Sequence, residues 1–199
     1  MLLQGNPEAQ VRFLQLDLSS MASVKSFAVN ILESETEVDI LICNAAVMLV
    51  PYQETKDGFE SHMSINYLGH CLLTALLLPR LIAAGSSGQS ARIVNVSSCA
   101  HKAASINVDD LNNRRMYSCY RGYAQSKLAQ VLFTMTLGKR MHAEGLPVTV
   151  TAIHPGIVNT HLYQRVWWAP LVAGLLFKAS ALFGIHCRPR DCVMHNSQE

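Results

Sequence analysis

Four short apolar runs recur along the chain, each closed by small or turn-forming residues: VRFLQLDL at 11–18, VDILICNAA at 38–46, ARIVNVSS at 91–98 and VTVTAIHPG at 148–156. Runs of this length with continuous or alternating apolar positions predict buried strands. Between them lie three longer stretches, 20–35, 58–84 and 120–144, whose apolar residues return at helical spacing. Strands alternating with helices predict a doubly wound α/β domain on a parallel sheet. GSSGQS at 85–90 is the only linker-like segment and reads as a helix-to-strand turn; no internal repeat is present.

Composition narrows the function classes. A chain of 199 residues, 50% of them hydrophobic, suggests one domain with a sizeable core. Only 15% is charged, against roughly 25% in ordinary soluble domains, which fits dense packing and work near lipid. A net charge of +2 without a run of Lys or Arg argues against nucleic acid as a partner. The six cysteines, at 43, 71, 99, 119, 187 and 192, form no CxxC and fit a reduced compartment. His186, Cys187, Cys192 and His195 crowd together, but their spacing matches no common zinc finger, so no metal site is expected. MLLQGNPEAQ at the start turns polar after three apolar residues and reads as neither signal peptide nor anchor.

In a parallel α/β sheet, ligands bind beyond the carboxyl ends of the strands. Three of the four expected strands end unusually: on Asn44-Ala45-Ala46, on Ser97-Ser98, and on His154-Pro155-Gly156 followed by Ile157-Val158-Asn159-Thr160. Small and hydroxylated residues there let a ligand approach the backbone. YAQSK at 123–127 then places Tyr123 and Lys127 on one face of the helix that follows the Ser98 strand. A phenol with a pKa near ~10 trades protons poorly at neutrality, and lowering it by about three units takes roughly 4 kcal/mol. An ammonium about 4 Å away at an effective dielectric of about 20 supplies roughly that much. Lys127 can therefore make Tyr123 a general acid/base, with Ser98 holding a substrate oxygen by hydrogen bond. Taken singly, each element has an ordinary structural reading: a half-buried tyrosine beside a solvated lysine, a capping serine, and a surface asparagine at Asn66.

In combination and order they resemble the short-chain dehydrogenase/reductase family. The strand ending CNAA at 43–46, the helix asparagine in SINYLGH at 64–70, the serine in IVNVSS at 93–98, YAQSK, and the turn HPGIVNT at 154–160 carry the resemblance. CNAAVMLVPYQETKDGFESH and HPGIVNTHLYQRVWWA look most like its retinol-dehydrogenase-like branch. The resemblance implies a Rossmann-like fold over 1–184 with a divergent tail at 185–199. It also implies reversible hydride transfer between NAD or NADP and a lipophilic alcohol or carbonyl of retinoid, steroid or polyprenoid type.

Carried over residue by residue, it makes Tyr123 the proton donor/acceptor, Lys127 the residue that lowers its pKa and bonds the nicotinamide ribose, and Ser98 the group polarising the substrate oxygen. Asn66 would hold a water linking Lys127 to solvent. Asp17 would meet the adenine, Asn44 would brace the central strands with Ala45 beside the cofactor, and Thr160 would contact the cofactor after the proline-glycine turn. Ala46 stands where the family usually has glycine. The family also implies pairing as a homodimer. The apolar stretch 166–185, including Trp167, Trp168 and Leu175, reads as a substrate lid or lipid-facing surface. That places the protein peripherally on the endoplasmic reticulum or a lipid droplet, or else in the cytoplasm.

Two departures are absences. The family's glycine-rich turn TGxxxGxG, which cradles the cofactor pyrophosphate, has no counterpart in this chain, nor have the family's first two strands and last strand. The Val11 run would then lack a ladder partner and the Val38 strand would show an open edge, which invites aggregation. On that reading the chain alone is poorly soluble and binds neither NAD(H) nor NADP(H). The alternative function is a catalytically inactive truncated isoform acting as a binding or dimerisation partner.

Overall fold

The computed structural model describes residues 9–156 and the backbone of Val193 and Met194. Helix α1 (Met21–Ser34) leads to strand β1 (Ile40–Cys43); a π-helical turn (Met63–Leu68) runs into α2 (Gly69–Ser86); β2 (Ala91–Val96), α3 (Cys119–Ala143) and β3 (Val148–Ile153) follow. β1, β2 and β3 pair in that order as a parallel ladder, Ile40 opposite Arg92 and Ala91 opposite Val148. β4 (Val193–Met194) adds two residues antiparallel to β3. The tail thus contributes an edge pairing where the sequence suggested no further strand, and its direction is opposite to that of the parallel strands.

The helices begin where local chemistry lets them. Ser20 caps α1 by accepting the Ser23 amide at 3.1 Å, and Ser118 caps α3 through the Arg121 amide at 3.5 Å. The helix expected from residue 58 starts later, because Gly58 sits at φ +80° in a turn and Glu60 bridges back to Glu54. Glu60 then takes the helix entrance, accepting the amides of His62 and Met63 at 3.0 Å each.

The run at 11–16 is the clearest correction. It forms no strand, and Phe13 is 91% exposed. Extended backbone needs a neighbour to satisfy its amides and carbonyls, and no strand lies beside it among the described residues. Among the described residues β1 correspondingly pairs only with β2.

Side chains alternate across the sheet. Ala91, Ile93, Val148 and Val150 face the core with Val24 and Ala28 of α1, Leu73, Leu77 and Leu81 of α2, and Met141 of α3. All three helices therefore lie on one face. For α2 and α3 the reason is topological: β1 to β2 to β3 steps one strand at a time in one direction, and right-handed crossovers put both connecting helices on the same side, where α1 packs against α2. The second layer of a doubly wound sheet is not formed by the described residues, and Ile42 on that side is 61% exposed. Close packing on the covered side tolerates no extra atoms. At Gly85 a Cβ would fall 2.0 Å from the Pro147 carbonyl oxygen.

The span Met63–Ser86 is long and apolar enough by composition to cross a membrane. Here it is the central core helix: Leu81 is fully buried, and Arg80 donates to the Leu32 carbonyl at 2.8 Å.

Replacing Ile40 and Ile42 together by Lys should raise the soluble fraction on expression while leaving unfolding stability within about 0.5 kcal/mol, as at exposed sites generally. Leu41→Lys, one residue away on the core side, should abolish soluble protein. Equal yields from both variants would contradict a one-sided sheet.

Candidate active site

Three elements meet at the carboxyl end of the sheet: the backbone leaving β2, the π-helical turn and the first half of α3. Ser97 donates its hydroxyl to the Lys127 carbonyl at 3.0 Å, which ties the strand end to the helix turn carrying the lysine. Lys127 reaches back, its Nζ donating to the Val96 carbonyl at 2.8 Å and to Gln130 Oε1 at 3.0 Å. The same ammonium lies 5.7 Å from the centre of the Tyr123 ring. Tyr123 and Lys127 are both buried. Burial pushes the lysine's pKa down to about 8, so it keeps its proton at neutrality.

Asn66 sits on the π-helical turn, a widened turn of the kind that re-aims side chains at functional sites. It is fully buried and acts as a clamp. Its Oδ1 accepts the Val47 amide at 2.8 Å, and its Nδ2 donates to the Val47 carbonyl at 2.9 Å and to Ser126 Oγ at 3.0 Å. The loop after β1 and the turn before Lys127 are thereby held together. Both amide protons are spent, which leaves an Oδ1 lone pair for a water.

Ser98 is half-buried and caps the short 3-10 turn Cys99–Ala103, accepting the Ala100 amide at 3.3 Å. Its own proton is not used in that bond. His101 fixes the turn through its ring nitrogen on the Ser98 carbonyl at 2.5 Å.

Asn44 and Ala45 stand exposed just past β1, and Ala46 is half-buried. Asp17 is exposed too, but it closes the turn into α1: its Oδ1 accepts the Ser19 hydroxyl at 2.6 Å and the Ser19 amide at 2.9 Å. Those two bonds hold its carboxyl below the ordinary range. Thr160, Trp167, Trp168, Leu175 and the rest of 166–185, like His186, Cys187, Cys192 and His195, lie outside the described residues. Among the described residues no cluster of His, Cys, Asp or Glu could hold a metal.

Several contributors carried no motif. His70, buried one helical turn after Asn66, bonds the Ala45 carbonyl at 2.8 Å, and burial, with the charge of Lys127, holds its pKa below the usual value. Gln130 orients Lys127, and its backbone carbonyl takes the Thr134 hydroxyl at 2.8 Å, which in turn accepts from Asn95 of β2 at 2.9 Å. Their sequence signal is only that polar residues recur at helical spacing on a face otherwise turned to the core.

A nicotinamide cofactor fits part of this arrangement. Lys127 spends two of its three protons inside the protein and keeps one for a ribose hydroxyl, and the backbone at Ala45 is open to approach. No described segment offers a glycine-rich cradle for a pyrophosphate.

A family profile described as short chain dehydrogenase matches residues 2–169. Human polyprenol dehydrogenase is 48% identical over 174 residues, covering 85% of this chain and 53% of that protein. Human retinol dehydrogenase 13 is 51% identical over 148 residues, covering 74% and 43%. Among solved structures, an uncharacterized protein from Mycobacterium paratuberculosis superposes with a TM-score of 0.67 at 46% identity, over 77% of this chain and 53% of that one. The Pseudomonas aeruginosa RhlG/NADP active-site complex does so at 0.58 and 25%, over 77% and 56%. The chain spans about half the length of the curated relatives it matches.

The buried lysine gives a stability test. Its folded pKa of about 8 lies below the ordinary 10.5, so the unfolded chain binds the extra proton between those values. Stability must rise with pH across that window, and the penalty, roughly 3 kcal/mol, is fully present below it. Cys43, raised by burial from 9.0 to about 11, works in the opposite direction at higher pH. The clean readout is therefore the difference between wild type and Lys127→Met from about pH 7 to about pH 9. Wild type should gain on the variant over that interval, as measured by denaturant unfolding; parallel curves would show an ammonium that is not desolvated.

Proposed function

The chain belongs to the short-chain dehydrogenase family, and we propose that it carries the proton-transfer half of an oxidoreductase acting on a lipophilic alcohol or carbonyl of retinoid, steroid or polyprenoid type. The observation that carries this reading is the convergence of Lys127 and Tyr123 on α3 with the Ser98 end of β2. The names of its relatives, polyprenol dehydrogenase and retinol dehydrogenase, support the substrate class.

Tyr123 takes the hydroxyl proton when an alcohol is oxidised and returns it when a carbonyl is reduced. Lys127 lowers the cost of the phenolate that forms in between, because its charge acts where water is excluded. Ser98 donates its remaining proton to the substrate oxygen and orients it. Bound NAD or NADP supplies the acceptor or donor of hydride. Lys127 holds its ribose, with Asp17, Asn44, Ala45 and Thr160 as further contacts.

The protein works peripherally at the surface of the endoplasmic reticulum or of a lipid droplet, a reading that rests on the apolar sequence 166–185. It pairs with a second copy; the exposed Leu132 and Met135 on α3 support that reading. A second function has one observation in its favour. The exposed apolar Leu132 and Met135 on α3 would serve a non-catalytic binding or dimerisation partner as well.

A chimaera decides between them. When residues 9–156 replace the matching segment of human polyprenol dehydrogenase, turnover of a polyprenol should persist. Tyr123→Phe in that chimaera should then cut kcat by about 10²–10⁴-fold, the usual worth of a general acid/base, while cofactor affinity holds. Lys127→Ala should lower both. Full turnover in the Tyr123→Phe protein would sink the assignment. A chimaera that is folded, binds cofactor and is inactive would favour the non-catalytic reading. Alkaline carbonate extraction of the expressed chain tests the lipid reading, with release from membranes expected and retention in the pellet refuting peripheral attachment.

A further inference from the structure

Glu60 is the one acidic side chain fully buried among the described residues, as Lys127 is the one buried lysine. Both border Tyr123: the Lys127 ammonium lies over its ring, and Glu60 bonds the His62 ring that packs against it. Burial alone drives the Glu60 carboxyl upward, but the His62 ring N–H at 2.7 Å and the amides of His62 and Met63 outweigh that and hold it below the ordinary value. It is therefore ionised at neutrality.

His62, also fully buried, is fixed at both nitrogens. Nδ1 faces the Glu60 carboxylate, and Nε2 accepts the Val50 amide at 3.4 Å. Only the neutral Nδ1–H tautomer does both, so the pair carries one net negative charge. The loop it grips is held firmly: Tyr117 donates to the Val50 carbonyl at 2.6 Å, and Leu49 adopts a left-handed φ of 54°. For a leucine that conformation costs about 1–2 kcal/mol.

The His62 and Tyr123 rings pack in a T-shaped arrangement, centroids 6.2 Å apart at 68°. Gly122 makes the approach possible. A Cβ there would lie 3.1 Å from His62 Nδ1 and 3.6 Å from Glu60 Oε1, so the carboxylate sits against the backbone of the residue next to the tyrosine. From the other neighbours of α3 come Cys99, His101 and Lys102 on the 3-10 turn, His154 beyond β3, and Tyr117 ahead of the helix. None of these brings a negative charge at neutral pH, and Glu54 on the nearby loop is partnered by Arg114 at the surface.

We propose that Glu60 and His62 are positioning residues for Tyr123: the buried carboxylate locks the imidazole in one tautomer, and the imidazole ring packed on the phenol holds it beneath the Lys127 ammonium while the carboxylate opposes that ammonium's charge. This rests on Tyr123 being the acid/base of the proposed reaction, but its test needs no turnover. Failure here therefore leaves that reading standing, and loss of that reading leaves this geometry measurable.

The full chain is prepared with 3-fluorotyrosine at position 123 and with ¹⁵N-labelled histidine. In the unsubstituted background the His62 nitrogen shifts at neutral pH should be those of a neutral Nδ1–H ring; an imidazolium or an Nε2–H ring would overturn the proposal without any variant having to fold. Glu60→Gln removes the buried negative charge held against the backbone next to Tyr123, so the fluorine-detected titration midpoint should fall by about one unit. His62→Gln should shift and broaden the fluorine resonance as the ring loses its wall. Glu144→Gln, a surface change in the Arg140 pair, should alter neither. A Glu60→Gln protein that folds and keeps the wild-type midpoint and resonance refutes the proposal.

Discussion

Lys127 places a positive charge where water does not reach, and much of the surrounding architecture answers that demand. A buried ammonium is tolerated only when its protons find oxygen. Two find it at once, on the Val96 carbonyl and on Gln130. Because Val96 is the last residue of β2 and Gln130 lies one turn along α3, satisfying the lysine also sets how α3 lies on the strand. Ser97 adds the reciprocal bond to the Lys127 carbonyl. Helix α3 is thus docked by polar chemistry at one end and by Met141 in the core at the other.

The same economy governs the loop after β1. Its backbone leaves the sheet and must be satisfied by side chains. Asn66 takes Val47 on both its amide and its carbonyl, and His62 and Tyr117 share Val50. All three side chains belong to elements that also touch the turn around Tyr123. Polar groups that look scattered in sequence therefore satisfy one loop between them, and the loss of a member leaves its backbone partner unpaired, which costs more than the net worth of a hydrogen bond.

A sheet with helices on one face is only half of the architecture expected of alternating strands and helices. The covered half is a packed core with Ile93 and Leu81 fully buried; the bare half leaves Ile40 and Ile42 exposed. The residues proposed above to move the proton all lie on elements of the covered half. That is why a convincing site can exist in a chain that spans about half the length of its relatives.

The sequence by itself determined the order of elements from 20 onward, that the sheet is parallel, and the Tyr123–Lys127 pairing, because these follow from the alternation of strand and helix patterns and from the fixed spacing of residues on a helix. It also announced that the Val11 run would lack a partner. Only the tertiary structure decided that this run is no strand, that the helix beginning near Gly58 opens with Glu60 and carries Asn66 on a π-helical turn, and that a two-residue edge at Val193 pairs with β3. The same holds for Glu60, His62, His70 and Gln130, which look like ordinary polar positions in the chain. Their roles come from burial and from partners as many as 12 or 25 residues away, as with Val50 and Ala45. Hydrogen bonds over such separations are settled by how helices pack on strands, which local periodicity does not encode.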